Sequence, residues 1–394
     1  MAPSGIRREH LRLVIVLGTL SAFAPLSIDM YLPAFPSIAA HFHASDGAVQ
    51  ATLAAFLIGL ALGQSVLGPL SDRTGRLPPL LMGIGTFVLA SVFAALAPNI
   101  ESLMAARFMQ ALGGCTGIVT SRAMVRDLFE ERESAQVYSL LMLVMGVAPI
   151  LAPLLGSFLI VRFNWSVIFW LLAGFGVICL TMATFALGET LPPEKRHKGG
   201  IAHVLRAYVA LMGDRSFVAF TMANACISAS MFAYITGAPF VFIELHGFTP
   251  PQFALTFGTI AGTFIFMAQV NAYLLRSFNG RTILKIAMTV HLCAALALLA
   301  VIRFFPAHVV PLMVVLYVLV PMLGFIGSNA IAAAMSRAGA NVGAAAALTG
   351  VIQFALAAAS GATVSALYNG SAMPMALVIA GLSVAATLVR LTAR

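Results

Sequence analysis

Charge is what this chain has least of. Of 394 residues only 9% are Asp, Glu, Lys or Arg, where a soluble domain carries about 25%. Hydrophobic residues make up 61%, and no stretch is long or polar enough for a separate soluble domain, so the chain reads as an integral membrane protein. Cysteine is also sparse. Cys115, Cys179, Cys226 and Cys293 fall in four separate apolar stretches with no Cys-x-x-Cys among them, which suggests neither a zinc site nor a disulfide framework. Acid is scarcest in the second half, where Glu244 is the only acidic residue beyond Asp214. The apolar stretches hold no paired carboxylates, no Ser–His pair, no metal-ligand cluster and no His-Glu-x-x-His. An intramembrane enzyme would lack its reacting groups, and no cofactor is expected.

What the chain has is long hydrophobic runs. A helix needs roughly 20 residues to cross the hydrocarbon core, and twelve such runs recur, near 11–36, 48–70, 79–97, 101–124, 135–160, 165–187, 214–243, 251–275, 282–304, 307–335, 343–369 and 371–391. The expected architecture is an all-α membrane protein of twelve transmembrane helices, with a bundle over 1–188, a polar linker over 189–213 and a second bundle over 214–394. The net charge of +9 invites a nucleic-acid reading, but the placement of the cations gives a topology instead. With residue 1 in the cytoplasm, the cytoplasmic segments take all but three of the 22 Lys and Arg, including Arg7, Lys198 and Arg394. Arg162 and Arg303 fall outside, and Arg107 within a helix. Cytoplasmic loops carry such an excess, so both termini are expected inside. Arg7, Arg8, an apolar core and Ala22-Phe23-Ala24 mimic a signal peptide, but Pro25 follows directly and the apolar run continues. The segment is read as the first retained helix.

Two anchors repeat along the chain. Pro33 in the first run matches Pro239 in the seventh, and Gly75-Arg76 after the second matches Gly280-Arg281 after the eighth. Transporters built from repeats place their substrate site between the halves, near the bilayer midplane. The position matching Asp29 is Ile235, so any coupling carboxylate must come from the first half. Asp29 is the only acidic residue expected inside the membrane. Such a group is costly and usually functional; it escapes the penalty by binding a proton or by sharing a cation. Arg107 lies at similar depth: each is about 10 Å from the outer boundary at about 1.5 Å per residue. A proton-sensitive Asp29–Arg107 pair between the first and fourth helices is therefore expected, with a permanent structural ion pair as the alternative.

Three motifs carry a resemblance. Gly68-Pro69-Leu70-Ser71-Asp72-Arg73-Thr74-Gly75-Arg76 resembles the signature of the major facilitator superfamily. Gly75 permits a turn at positive φ, Asp72 can face the positive N-terminus of a neighbouring helix, and Arg73 and Arg76 can meet carbonyls or carboxylates. With Arg126 and Asp127 these residues form an expected cytoplasmic gate. Leu77 stands where the family pattern often has a further cation. Arg107 to Gly113 resembles the fourth-helix signature of proton-driven drug exporters. Gly146, Pro149, Pro153 and Gly156 in the fifth run resemble the exporter-associated hinge, with Ser157 in place of its usual last glycine; proline kinks a helix and glycine lets helices approach. Ser27 to Pro36, Arg126-Asp127-Leu128, Trp165 to Trp170, Glu189 to Glu194 and Gly237 to Val241 together resemble the Bcr/CflA branch, which contains bicyclomycin, chloramphenicol and sulfonamide resistance proteins.

This resemblance implies a major facilitator fold of two pseudo-symmetric six-helix bundles around a central cavity. It also implies drug:proton antiport in a bacterial inner membrane, with protons as the coupling ion and a small drug-like substrate, by a monomer in the lipid bilayer. Export or symport of an endogenous metabolite would use the same parts. Polar and aromatic groups in otherwise apolar runs nominate Tyr31, Phe56, Gln110, Asn224, Tyr234, Asn329 and Gln353 for the cavity; each could equally bridge helices. His291 is read as a packed histidine, while His41, His43, His246 and His308 lie in or beside outer loops.

Overall fold

The computed structural model describes residues 8–196, 201–339 and 342–392; Arg7, Lys198 and Arg394 lie outside them. Every element among the described residues is helical. Eleven helices are long and apolar enough to cross a membrane: Arg12–Phe42, Asp46–Thr74, Leu77–Ala95, Leu140–Arg162, Ser166–Ala186, Arg215–Leu245, Pro250–Leu274, Gly280–Phe304, Val309–Met335, Gly343–Ala366 and Met373–Leu391. Ile100–Leu128, of 29 residues, is as long but less apolar, because it carries Glu101, Arg107, Arg122, Arg126 and Asp127. It is the fourth of twelve spans, numbered in chain order below. The linker contains a further helix, Ile201–Gly213. Asp214 then caps the seventh span by accepting from the backbone N–H of Ser216 at 2.8 Å and Phe217 at 3.0 Å.

The repeated prolines mark matching distortions. The first span is helical over Arg8–Ser21 and Phe23–Asp29, tightens into a 3₁₀ turn at Leu32–Ala34 that contains Pro33, and resumes as Phe35–Phe42. The seventh runs as α-helix to Pro239 and then opens into a π-helical turn, Phe240–Leu245. A proline supplies no N–H to the helical ladder, and wide or tight turns are the usual way of accommodating the defect. The repeat in sequence is a repeat in backbone irregularity.

The second span packs along the fourth, and the third along the fourth and sixth; the seventh packs along the tenth, eleventh and twelfth. Two long seams join the first six spans to the last six, the second against the eleventh and the fifth against the eighth. The face where the described chain starts and ends, and where the second span turns into the third, is termed the terminal face. Its counterpart is the opposite face.

Close packing of the second and fourth spans depends on Gly59 and Gly63, a small-x-x-x-small pair. A Cβ at Gly59 would lie 2.5 Å from the Phe108 carbonyl oxygen, and one at Gly63 2.3 Å from Cys115 Sγ. Backbone cannot yield as a side chain can, so Gly59→Val is expected to destabilise by about 1–3 kcal/mol through overpacking. A lowered thermal unfolding midpoint in detergent would register this; an unchanged midpoint would mean the two helices part at no cost.

Candidate functional site

The interior is organised around one cation. Arg107 is completely buried, and a charge taken from water must be matched by hydrogen bonds or opposite charge. Its Nη1 donates to Gln110 Oε1 at 2.6 Å, and its Nη2 donates to the Ser27 carbonyl at 3.0 Å. Gln110 is held in turn, its Nε2 donating to Ser91 Oγ at 2.8 Å. The guanidinium carbon sits 4.2 Å from the Phe56 ring centre, 4.5 Å from that of Tyr31 and 5.8 Å from that of Phe169. Aromatic faces stabilise a desolvated cation. Tyr31 is fixed by a 2.7 Å hydrogen bond between its hydroxyl and Thr52 Oγ1. Arg107 Nε remains without a partner.

Asp29 is not part of this arrangement. It is 4% exposed, and among the described residues no hydrogen bond or ion pair reaches its carboxylate. The seventh span, which packs against the 3₁₀ turn of the first, carries the Tyr234 hydroxyl. That hydroxyl is buried and unpartnered, on a ring stacked against Phe257 with centroids 5.7 Å apart. The expected Asp29–Arg107 pair is therefore absent from this structure, although the depth reasoning holds: Arg107 does reach the first span, at Ser27. Residues two apart on a helix point to different sides, so matching depth did not mean matching direction. The helix also ends after Asp29, and a helix end leaves carbonyls in need of donors. Arg107 supplies one.

On the terminal face a second polar cluster forms around Arg76. Its Nη1 donates to Ser71 Oγ at 2.8 Å and to Asp72 Oδ1 at 2.5 Å, and its Nε donates to Asp127 Oδ2 at 2.8 Å. Gly75, at φ 104°, turns the chain as expected. The carboxylate at the start of the third span is not Asp72, however. It is Glu189, which accepts from the backbone N–H of Arg76 at 2.8 Å and Leu77 at 3.3 Å, and from Leu191 at 2.9 Å. A Cβ on residue 75 would lie 2.3 Å from Glu189 Oε2, so glycine is needed there for space as well as for the turn. Arg73 and Arg126 are exposed. In the fifth span, Gly156 sits against the Met30 carbonyl of the first span, and Gly146 against Ile265 of the eighth. The hinge motif thus touches both halves. Gly68 makes only ordinary contact with Val119.

The family profile of the Major Facilitator Superfamily matches residues 17–364. The chain belongs to that superfamily. Among curated proteins it is 37% identical over 360 residues to the uncharacterized MFS-type transporter YdgK of Bacillus subtilis, covering 90% of this chain and 88% of that one. It is 29% identical over 362 residues to a bicyclomycin resistance protein homolog of Haemophilus influenzae, covering 92% and 91%. It is 29% identical over 303 residues to the multidrug resistance protein MdtL of Escherichia coli, covering 76% and 75%. These relatives agree with the branch that the motifs resemble. Among solved structures, a D-xylose-proton symporter superposes with a TM-score of 0.73 at 14% identity over 96% of each chain. A bacterial homolog of the human lysosomal transporter Spinster gives 0.70 at 14% identity, over 99% of this chain and 95% of that one. At such identity these two speak for the fold alone.

In this facilitator, then, Tyr31, Phe56 and Gln110 all touch Arg107. Asn224 is buried with an unpartnered Nδ2, and Gln353 is half-buried. Asn329 bridges helices: its Nδ2 donates to Asn271 Oδ1 at 2.7 Å and to the Phe325 carbonyl at 2.8 Å. His291 packs between Ser230 and Ser383, at 3.3 and 3.1 Å. Ser27, Ser91, Phe169 and Glu189 were not singled out from the sequence. Ser27 acts through its backbone, which carries no side-chain signal. Glu189 stood in a recognised motif without a role.

Glu189 invites a pH test. Partial burial pushes its carboxyl up, but three backbone N–H groups and Arg196 outweigh this and hold it below the usual carboxylate value. A depressed group stabilises above its unfolded pKa and loses that contribution as pH falls through the folded value. Glu189→Gln should therefore lower the unfolding midpoint at neutral pH, and the gap between the two curves should narrow as pH falls below the ordinary glutamate value of about 4.3. A constant offset down to pH 3 would mean the residue acts through packing.

Proposed function

We propose that this facilitator is a proton-coupled antiporter that exports small lipophilic antimicrobials across a bacterial inner membrane, with Asp29 as its proton carrier. The observation that carries the reading is a buried carboxylate in the first span that no hydrogen bond or ion pair reaches among the described residues. A carboxylate in that position costs several kcal/mol when ionised, so its occupancy by a proton is coupled to whatever opens or closes its surroundings. Arg107 already satisfies its charge through Gln110, Ser27 and three rings, and so stays a fixed cation throughout. The relatives named for bicyclomycin and multidrug resistance support drug export over uptake.

In this reading both termini are cytoplasmic and the protein works as a monomer. Residues 1–188 and 214–394 rock about a site between them, joined by the linker over 189–213. A proton arriving from outside neutralises Asp29 and releases drug outward; its loss to the cytoplasm resets the carrier. Of the residues nominated for the cavity, Tyr234 and Asn224 keep unmatched polar atoms and so have hydrogen bonds left to offer a substrate.

Asp29→Asn keeps the shape and removes the titration. In proteoliposomes it should abolish efflux driven by a pH gradient while leaving drug binding measurable. Coupled efflux persisting in the variant would refute the assignment. Overexpression in growth assays against an antibiotic panel distinguishes the cargo: protection supports drug export, and its absence together with intact proton coupling points to an endogenous metabolite.

A further inference from the structure

Two side-chain hydrogen bonds among the described residues cross from the first six spans to the last six, and both lie at the opposite face. Ser365, near the end of the eleventh span, donates its hydroxyl to the Gly47 carbonyl at 2.6 Å. Three residues on, the Tyr368 hydroxyl donates to the Asp46 carboxylate. Asp46 and Gly47 form the first turn of the second span, behind its capping residue Ser45.

The fit around these bonds is tight. A Cβ on Gly47 would lie 3.0 Å from the Ser365 carbonyl oxygen and 3.2 Å from Tyr368 Cβ. The Tyr368 ring meets Phe240 edge-on, with centroids 4.9 Å apart, and Phe240 opens the π turn of the seventh span. That turn packs in its own right against Phe35–Phe42, the last segment of the first span. Deeper in the same seam, Gly361 of the eleventh span lies against Thr236, Ala54 and Leu57. The terminal face is built differently. Arg76, Asp72, Asp127 and Glu189 bind one another within the first half and the start of the linker, and Arg337 pairs with Asp214 at 3.2 Å on the side of the second half.

We propose that Tyr368–Asp46 and Ser365–Gly47 form a two-point latch that holds the opposite face of this transporter closed. The claim concerns the gate, and it stands whatever the cargo or coupling ion. A hydrogen bond to a carboxylate is stronger than a neutral one. Burial first, and then the neighbouring Asp46 and Glu244, push the Tyr368 hydroxyl above its ordinary titration range, so it remains a donor at physiological pH. Glycine at 47 lets the two helix ends close far enough for both bonds to form. Opening that face requires both to break, and the latch therefore sets part of the balance between the closed and open forms.

Spin labels at Glu101→Cys and Ala307→Cys, on exposed loop-side positions of the two halves, report that balance by pulsed electron–electron distance measurement. The four native cysteines are first replaced by alanine. Tyr368→Phe retains the ring on Phe240 and removes only the donor, so it should raise the population at longer distance roughly tenfold relative to the closed form. Gly47→Val should do so by wedging. Distance distributions unchanged in both variants would overturn the proposal. A second measurement acts in the other direction. With Cβ atoms near the range a disulfide tolerates, Gly47→Cys with Tyr368→Cys should bridge on oxidation, arrest transport and recover on reduction; transport that continues with the bridge formed would equally overturn it.

Discussion

The burial of the Arg107 charge is the constraint on which the interior depends. Removing one partner of a buried ion pair leaves an uncompensated charge at a cost of several kcal/mol, so a design that relied on Asp29 as counter-ion would be disturbed whenever that carboxylate took up a proton. Here the cation is satisfied by groups that do not titrate in the working range: a backbone carbonyl, an amide and three rings. Asp29 makes no hydrogen bond or ion pair to this cation, so a change in its charge would break no contact of Arg107. The break in the first span belongs to the same solution, because an uninterrupted helix would commit the Ser27 carbonyl to its own ladder. From Arg107 an aromatic row continues through Tyr31, Phe169 and Trp165 to His41 and Phe42. This ties the position of the charge to the loop-side end of the first span.

The two faces of the molecule are secured by different physics. On the terminal face the strong contacts are ionic and each stays within its own half, the Arg76 cluster joining the first half to the start of the linker and Arg337–Asp214 lying in the second. At the opposite face two hydrogen bonds, with apolar packing around them, cross between the halves. A rigid unit on one side and a breakable seam on the other is what rotation of one half against the other requires. The fifth span serves both roles. Gly156 fastens it to the first span, while Gly146 and Ile150 meet the eighth, where Gly258 approaches the Ile150 carbonyl.

How much of this was legible in the sequence follows from what sequence encodes. Hydropathy gave the number of spans, since each must bury its backbone in hydrocarbon. Pro33 and Pro239 announced the paired distortions, because a missing N–H is a local chemical fact. Gly75 announced its turn for the same reason. The direction of a buried side chain is not local: Asp29 and Arg107 share a depth, but which of them faces which neighbour depends on rotation about two helix axes and on where the first helix ends. Glu189 was hidden for a related reason. A carboxylate after the sixth span can reach the start of the third only once the bundle has brought them together, 113 positions apart in the chain.

The repeat itself carries the last lesson. Gly75-Arg76 and Gly280-Arg281 occur at matching places, yet they do unlike work. Gly75 lies at positive φ with Glu189 pressed against it, and Arg76 is buried among carboxylates. Gly280 opens the ninth span behind Asn279 and leaves room for the Asn329 amide, while Arg281 is exposed. Asn329 and Asn271 can hydrogen-bond but cannot anchor a guanidinium as a carboxylate does. The duplicated backbone turn has thus kept its steric function in both halves and its buried, carboxylate-bound cation in one.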